Sequence, residues 1–277
     1  QMCIRDRNEP EMALGILDRV HDRWDYSLEA LGLALAHLQL YRAVTRIFRG
    51  EEGDWQEARL LLREVVHKVD ETMSEPEMPA PGKRLFWRPR VPHPAAEKVT
   101  VEARRWRARM LKASAVNYQG YLDRQQGRYV QAVAHYQAST MLQRRLALAE
   151  LAPVLINLSY AMVLTGEFRH ARLLTEEAEG WARRSGSNAL VLARVLNARA
   201  LVEVYDNHPR DALRYAARAL DVAGDVYAPR LHGLIYLTRA RAHRYLMVSE
   251  IEEDAPRRPE AVPLAASNVP RRGTVSY

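Results

Sequence analysis

The sequence contains very little cysteine and no long apolar segment. Its one cysteine is Cys3, so neither an intrachain disulfide nor a zinc site with several cysteine ligands can form. The most apolar stretch, residues 151–164, is interrupted by Asn157 and Ser159 and falls short of the roughly 18 residues that a membrane-spanning helix needs. These absences favour a cytoplasmic protein that does not enter a membrane.

The signatures of common catalytic sites are also missing. There is no glycine-rich phosphate loop, no His-Glu-x-x-His motif and no Gly-x-Ser-x-Gly motif. No two of the nine histidines are four residues apart, the spacing that places two imidazoles on one face of a helix. We therefore predict that the chain is not an enzyme and holds neither a metal nor a cofactor.

Lysine is scarce, since only four of the 41 basic residues are lysine and the rest are arginine. The formal net charge is +7, which would suit a nucleic-acid partner. The excess of arginine is explained more simply by a GC-rich genome, so the charge alone does not require such a partner.

A recurring spacing of glycine, an aromatic residue and alanine organises the chain. The clearest copy is Gly166, Phe168 and Ala171. It recurs at Gly53, Trp55 and Ala58, at Gly127, Tyr129 and Ala132, and in a weaker form at Pro209 and Ala212. Successive alanines from Ala132 are 39 and 41 residues apart, and Ala58 to Ala132 is 74, close to two such steps. A fixed period of this length with two helices per unit predicts a helical solenoid.

Each element of this spacing has a physical role. Glycine suits a position just after a helix where the backbone needs a positive φ. Alanine at a helix crossing lets two backbones approach closely, and the aromatic ring covers the space beside it. Because one helix pair cannot bury its own apolar face, neighbouring pairs have to stack.

The spacing resembles the tetratricopeptide repeat. The residues that carry the resemblance are Leu158, Ser159, Met162, Gly166, Phe168, Ala171 and Ala178 in one unit, and Gly120, Gly127, Tyr129, Ala132 and Tyr136 in the preceding one. The sequence departs from that pattern at Asp123, Ser139, Asn207 and Pro209. The resemblance implies an all-α, right-handed superhelical solenoid of antiparallel helix pairs with a period of about 40 residues. Its long period is similar to the repeats of bacterial STAND-class signalling regulators.

Composition divides the chain into five segments. Residues 1–7, QMCIRDR, match a translated sequencing adaptor, so we expect a cloning scar followed by a truncated first repeat. Residues 8–73 are predicted to form repeat-like helices, 74–94 a proline-rich basic and aromatic loop, 95–249 further repeats, and 250–277 a mostly disordered tail. Residues 95–126 contain no breaker besides Gly120, so they form either one very long helix or two abutting helices.

The proline-rich loop allows two interpretations. Six prolines within 74–94 exclude regular helix or sheet. The loop also carries a cluster of basic and aromatic residues: Lys83, Arg84, Phe86, Trp87, Arg88 and Arg90. These could form an arm that binds nucleic acid or an acidic partner, or Phe86 and Trp87 could fold back onto the solenoid.

The resemblance also indicates where a partner would bind, because first helices of each pair line the concave side of such solenoids. Candidate groove residues are Asn117, Tyr121, Arg124, Tyr160, Arg194, Asn197 and Tyr205, together with Ser114, Ile156, Val163 and Leu201. We expect a non-catalytic protein-interaction scaffold that binds a protein or peptide in this groove, as a fragment of the sensor or effector-binding arm of a larger bacterial regulator. A nucleic-acid-binding module using residues 83–90 and the arginine-rich helices is the alternative. Uncapped ends of the stack would also allow self-association.

Overall fold

The structure is a computed structural model that describes residues 13–17, 32–74, 94–146, 151–184, 188–224 and 226–254. The predictions for the adaptor-derived segment 1–7, for the basic arm at 83–90 and for the tail from residue 255 lie outside these ranges. The described residues are almost entirely helical and contain no strand. The predicted all-α class is therefore confirmed.

Nine helices follow a short helical segment at 13–17 in the described part of the chain. They are α1 (Gly32–Arg49), α2 (Asp54–Ser74), α3 (Pro94–Gln125), α4 (Tyr129–Leu146), α5 (Leu151–Leu164), α6 (Phe168–Arg184), α7 (Ala189–Tyr205), α8 (Pro209–Ala223) and α9 (Pro229–Asp254). None of these helices combines the length and the hydrophobicity needed to cross a bilayer.

The helices pack as consecutive pairs, each against the next, which is the arrangement of an all-α solenoid. Besides their neighbours in sequence, the first helices α1, α3, α5, α7 and α9 also contact one another in order. Among the described elements, the second helices α2, α4, α6 and α8 show no comparable contact with each other. The first helices therefore form the more closely spaced side, the side that lines the concave surface of a curved stack.

Three of the turns within pairs share one backbone geometry. In the turn between α3 and α4, Gly127 N–H donates to Arg124 O at 3.2 Å and Arg128 N–H donates to Asp123 O at 2.8 Å. These two bonds satisfy carbonyls that the helix end leaves free. The same pair of bonds closes the next two turns. The residues with positive φ are Gly127 at 75°, Gly166 at 83° and Asn207 at 59°. Asparagine tolerates this region better than most non-glycine residues, which explains the departure at Asn207.

The predicted crossing alanines are at the centre of the packing. Ala58, Ala132, Ala171 and Ala212 are all fully buried. Ser139, where the repeat pattern has alanine, is also fully buried, and its hydroxyl donates to Ala113 O at 2.7 Å. A hydroxyl that bonds to the neighbouring helix backbone thus replaces a methyl group without leaving a buried polar atom unpaired.

The structure decides or revises several predicted helix boundaries. Residues 94–125 form one helix, the first of the two alternatives, and Gly120 lies within it against the Tyr136 ring. Pro153 lies in the first turn of α5, where proline is tolerated because the N–H it lacks has no partner within the helix. Helix α9 continues to Asp254, beyond the predicted end of the repeats at 249.

Candidate binding groove

A row of aromatic and polar side chains crosses the first helices. Phe48 from α1 contacts Tyr121 from α3, with ring centroids 6.1 Å apart. The Arg124 guanidinium carbon lies 5.2 Å from the Tyr121 ring centroid and 5.9 Å from that of Tyr160 in α5. These separations suit cation–π attraction, so Arg124 joins aromatic residues of two successive pairs, and the contact of Phe48 with Tyr121 extends the row to a third. Tyr160 in turn interacts with Asn197 in α7.

Tyr136, from the second helix α4, lies beneath this row. Its ring packs against Gly120 so closely that a Cβ atom at 120 would come within 2.9 Å of two ring carbons. The absence of a side chain at Gly120 therefore allows the Tyr136 ring to pack there and its hydroxyl to lie beside Arg124. Burial raises the pKa of Tyr136 to about 12, although the adjacent Arg124 acts in the opposite direction. The phenol is thus neutral at physiological pH.

Tyr160 has a similarly enclosed hydroxyl. Burial raises the pKa of Tyr160, and the charges of Arg194 and Arg124 together with the Asn197 amide oppose the shift. Arg194 is exposed on α7, whereas the Asn197 side chain is only 4% exposed. The two phenols and two guanidinium groups therefore form one polar cluster on the first-helix side.

The other groove candidates are divided between this side and the core. Asn157 Nδ2 donates to Asn117 Oδ1 at 3.1 Å, which joins α5 to α3. Tyr205 is partly exposed at the last residue of α7, two turns beyond Asn197. Ser114 and Leu201 are half-buried. The expectation that Ile156 and Val163 face the groove was wrong, because both are buried in hydrophobic clusters between helices.

A second polar feature lies at the junctions between pairs. Asp123, 2% exposed, accepts a hydrogen bond from Arg59 of the preceding pair at 3.0 Å. It also accepts one from Arg128 Nε at 2.9 Å and contacts His135 Nδ1 at 2.7 Å. A buried carboxylate is tolerated only with such partners. The tetratricopeptide pattern usually has an aromatic residue at this position. Here Asp123 instead forms an ion-pair junction between two helix pairs.

Glu203 repeats this arrangement two pairs later. It precedes Asn207 by four residues, as Asp123 precedes Gly127, and it accepts bonds from Arg172 at 2.8 Å and Arg199 at 2.8 Å. Arg59 and Arg172 each follow a crossing alanine directly. A further junction, between the second and third helix pairs, lies between these two ionic ones. Its residues at the equivalent positions are Val133, which follows Ala132, and Met162, which precedes Gly166 by four residues, and both pack in one apolar cluster. The three successive junctions are therefore ionic, apolar and ionic.

Glu203, Asp206 and His208 place possible ligand atoms within 4.8 Å of one another. The sequence alone does not indicate this group, because the spacing of three and two residues differs from the helical i, i+4 pattern. Arg172 already bonds to Glu203 and Asp206, and its Nη2 lies 3.1 Å from His208 Nδ1. A cation at this place would have to displace that guanidinium, so we assign the group to the junction.

These carboxylates make stability dependent on pH. Burial alone would raise the pKa of Asp123 and Glu203, but the arginine hydrogen bonds and charges outweigh it and hold both pKa values below the ordinary range. Asp54, bonded to Arg49, behaves in the same way. Because the folded-state pKa is lower than the unfolded value near 4, this stabilisation is complete above about pH 5 and is lost as pH falls.

We therefore expect the melting temperature to be nearly constant from pH 8 to 6 and to fall steeply below about pH 4.5. Thermal melts followed by circular dichroism at 222 nm across this range measure the effect. In the Asp123→Asn variant, whose amide does not titrate, the melting temperature should fall less steeply below about pH 4.5. An equally steep fall in the variant and the parent would contradict the assignment.

Neither a scan of protein-family models nor a search of curated proteins finds a match for this chain. The class of protein is thus defined by its fold: an all-α solenoid of stacked helix pairs with an aromatic and arginine-rich row on its first helices.

Proposed function

We propose that the chain is a non-catalytic scaffold that binds an extended segment of a partner protein along its first helices. The observation that carries this proposal is the row from Phe48 through Tyr121, Arg124 and Tyr160 to Asn197, which joins four successive pairs on one side. Aromatic residues and arginine dominate binding energy at protein interfaces because they combine large contact area with directional polar groups. A segment lying across the row would contact one such residue from each pair in turn.

The arginines of the second helices support this assignment over a nucleic-acid interface. Arg144 pairs with Glu177, and Arg183 pairs with Glu179. Nucleic acid is bound by clustered, uncompensated basic side chains that release counterions from phosphates. Alternating charges of this kind are typical of a solvated outer surface. The resemblance to long-period tetratricopeptide repeats further leads us to propose that the scaffold serves as the sensor or effector-binding arm of a larger bacterial regulator.

The test is selection of random linear peptides displayed on phage against the immobilised full-length chain. Affinities of recovered peptides would then be measured by fluorescence anisotropy for the parent and for three variants. Tyr160→Ala and Arg124→Gln should each weaken binding by roughly tenfold or more, as expected for central interface residues. Arg183→Ala, on the opposite side of the stack, is the matched control and should leave affinity unchanged.

Two results would overturn the proposal. One is recovery of peptides whose affinity is the same for all three variants and the parent. The other is the absence of any selected peptide together with tight binding of a labelled single-stranded oligonucleotide at about 0.15 M salt. The second result would favour the nucleic-acid alternative and the arm at 83–90.

A further inference from the structure

Helix α9 is buried along one side only. Its buried apolar residues pack in clusters with residues of α7 and α8: Leu231, Ile235 and Ala242. On the opposite side, Leu237 and Met247 are 47% and 62% exposed, and Tyr236 and Val248 beside them are 57% and 48% exposed. Apolar side chains that are exposed next to one another along a helix indicate a surface that another element covers.

The residues at the centre of this exposed side follow a regular spacing. They are alternately four and three residues apart, and all are exposed: Gly233, Leu237, Ala240, Arg244 and Met247. Alternating steps of four and three are the spacing with which one helix packs lengthwise against another, because they keep the contact residues on one side. The outer side of α9 therefore has the pattern of a helix-packing surface.

Gly233 gives a separate indication of close packing. A glycine inside a helix lowers helix stability relative to alanine, so such a glycine often serves a close contact. Gly120 makes one with the Tyr136 ring, whereas a Cβ atom at Gly233 would meet no atom within 4 Å outside its own helix backbone in the described chain. The corresponding residue of α7, Ala193, is fully buried in a cluster with residues of α8. Gly233 thus lies where a further helix can approach closely.

The charges of α9 indicate which helix matches this surface. Its acidic residues all lie within positions 250–254, whereas its basic residues begin at Arg230 and are absent from the last turn. Acidic residues are unfavourable at a helix C-terminus, which carries a partial negative charge. An antiparallel copy of α9 brings the basic beginning of one helix beside the acidic end of the other and offsets this cost in both. A parallel copy would instead bring like charges together.

We propose that two copies of the chain associate through the outer side of α9, packed antiparallel about a two-fold axis at Ala240. Ala240 then lies opposite its own equivalent, so the two backbones approach closely there. Leu237 lies opposite Arg244 of the partner subunit, and Gly233 lies opposite Met247 of the partner subunit. Because the same surface serves both molecules, the contact closes as a dimer and does not continue into a filament. This surface is separate from the groove and does not depend on the proposed function.

Analytical ultracentrifugation of the full-length chain with Cys3→Ser tests the dimer. The mass should approach twice 31.7 kDa as the concentration rises to about 0.2 mM, because a dimer is populated by mass action. Gly233→Leu fills the space for close approach, and Leu237→Arg places like charge opposite Arg244. Each should weaken the dimer by about tenfold or more. Leu173→Arg, at an exposed leucine of α6, is the matched control and should leave the dissociation constant unchanged.

The stability of the dilute monomer separates association from folding. Because nothing outside its own helix packs against Gly233 in the described chain, Gly233→Leu should keep or raise the melting temperature of the monomer. A structural role of this glycine within one chain would lower it. Circular dichroism at low protein concentration makes the measurement.

Cysteine cross-linking tests the position of the axis. In the Cys3→Ser background, Ala240→Cys should form a disulfide between two chains under mild oxidation, since a two-fold axis at this residue places the two sulfur atoms within bonding reach. Gly233→Cys and Met247→Cys should cross-link when the two variants are mixed, and not when either is alone. Leu173→Cys is the control and should stay monomeric under the same oxidation.

Three results would overturn the proposal. One is a mass that stays at that of a single chain at every concentration, or equal association of Leu237→Arg and Leu173→Arg. Another is formation of higher oligomers without cross-linking of Ala240→Cys, which would indicate a head-to-tail contact. The third is a monomer in which the thiol of Ala240→Cys resists alkylation, which would show that another segment of the same chain covers α9.

Discussion

Replacing Tyr136 with alanine is expected to lower the free energy of unfolding by about 3–5 kcal/mol. The ring is completely buried against Gly120 and belongs to a cluster that includes Ala132, Leu158 and Ala161. Its removal would leave a cavity between α3, α4 and α5, because rigidly packed helices relax only partly around a deletion. Urea unfolding followed by circular dichroism measures the loss.

The matched control for this variant is Tyr136→Phe, which keeps the ring and removes only the hydroxyl. Because the hydroxyl lies beside Arg124 but makes no hydrogen bond of ordinary geometry in the described residues, its removal should change stability by less than about 0.5 kcal/mol. A loss above about 1.5 kcal/mol in this variant would show that the hydroxyl forms a bond that stabilises the fold.

Glu203→Ala is expected to destabilise the protein by about 2–3 kcal/mol. Removing one member of a buried ion pair leaves the other without compensation, which costs about 3–5 kcal/mol when both are buried. Arg172 and Arg199 each have one further carboxylate partner and partial access to water, so the expected loss is smaller. Urea unfolding again gives the value.

Two comparisons make this prediction specific. Glu179→Ala removes a partner of exposed Arg183 and should change stability by less than about 0.5 kcal/mol. The double variant Arg172→Val with Glu203→Met copies Val133 and Met162 of the apolar junction, and it should recover part of the loss. Equal losses for Glu203→Ala and Glu179→Ala would show that the buried position has no special role.

The repeat frame could be predicted from the sequence because its determinants are local. Gly166 is two residues from Phe168 and five from Ala171, and the requirement for positive φ depends only on the helix end that it terminates. The crossing alanines were found for the same reason, since helical spacing within one segment shows which face is buried.

The ionic junctions could not be predicted in this way. Arg59 and Asp123 are 64 residues apart, and they meet only because of the angle at which one pair stacks on the next. The sequence showed Asp123 merely as a departure from the repeat pattern. The place of Tyr136 beneath the groove likewise depends on the packing of α4 against α3, whereas the groove side of α3 was predicted from that helix alone. Ile156 and Val163 were misassigned because one helical stripe does not show where the neighbouring pairs cover it.

The alternation of ionic and apolar junctions also affects which helix pairs can pack against each other. A pair with an arginine after its crossing alanine fits a neighbour that presents a buried carboxylate, and a pair with valine fits one that presents methionine. If a pair that carries Val133 docked against Asp123 or Glu203, the carboxylate would lose the arginine of the neighbouring pair and keep only the partners of its own pair. Such a mismatch weakens the packing of unlike pairs. The junctions thus distinguish apolar from ionic neighbours when similar modules pack during folding, and the same difference disfavours exchange of unlike modules between molecules.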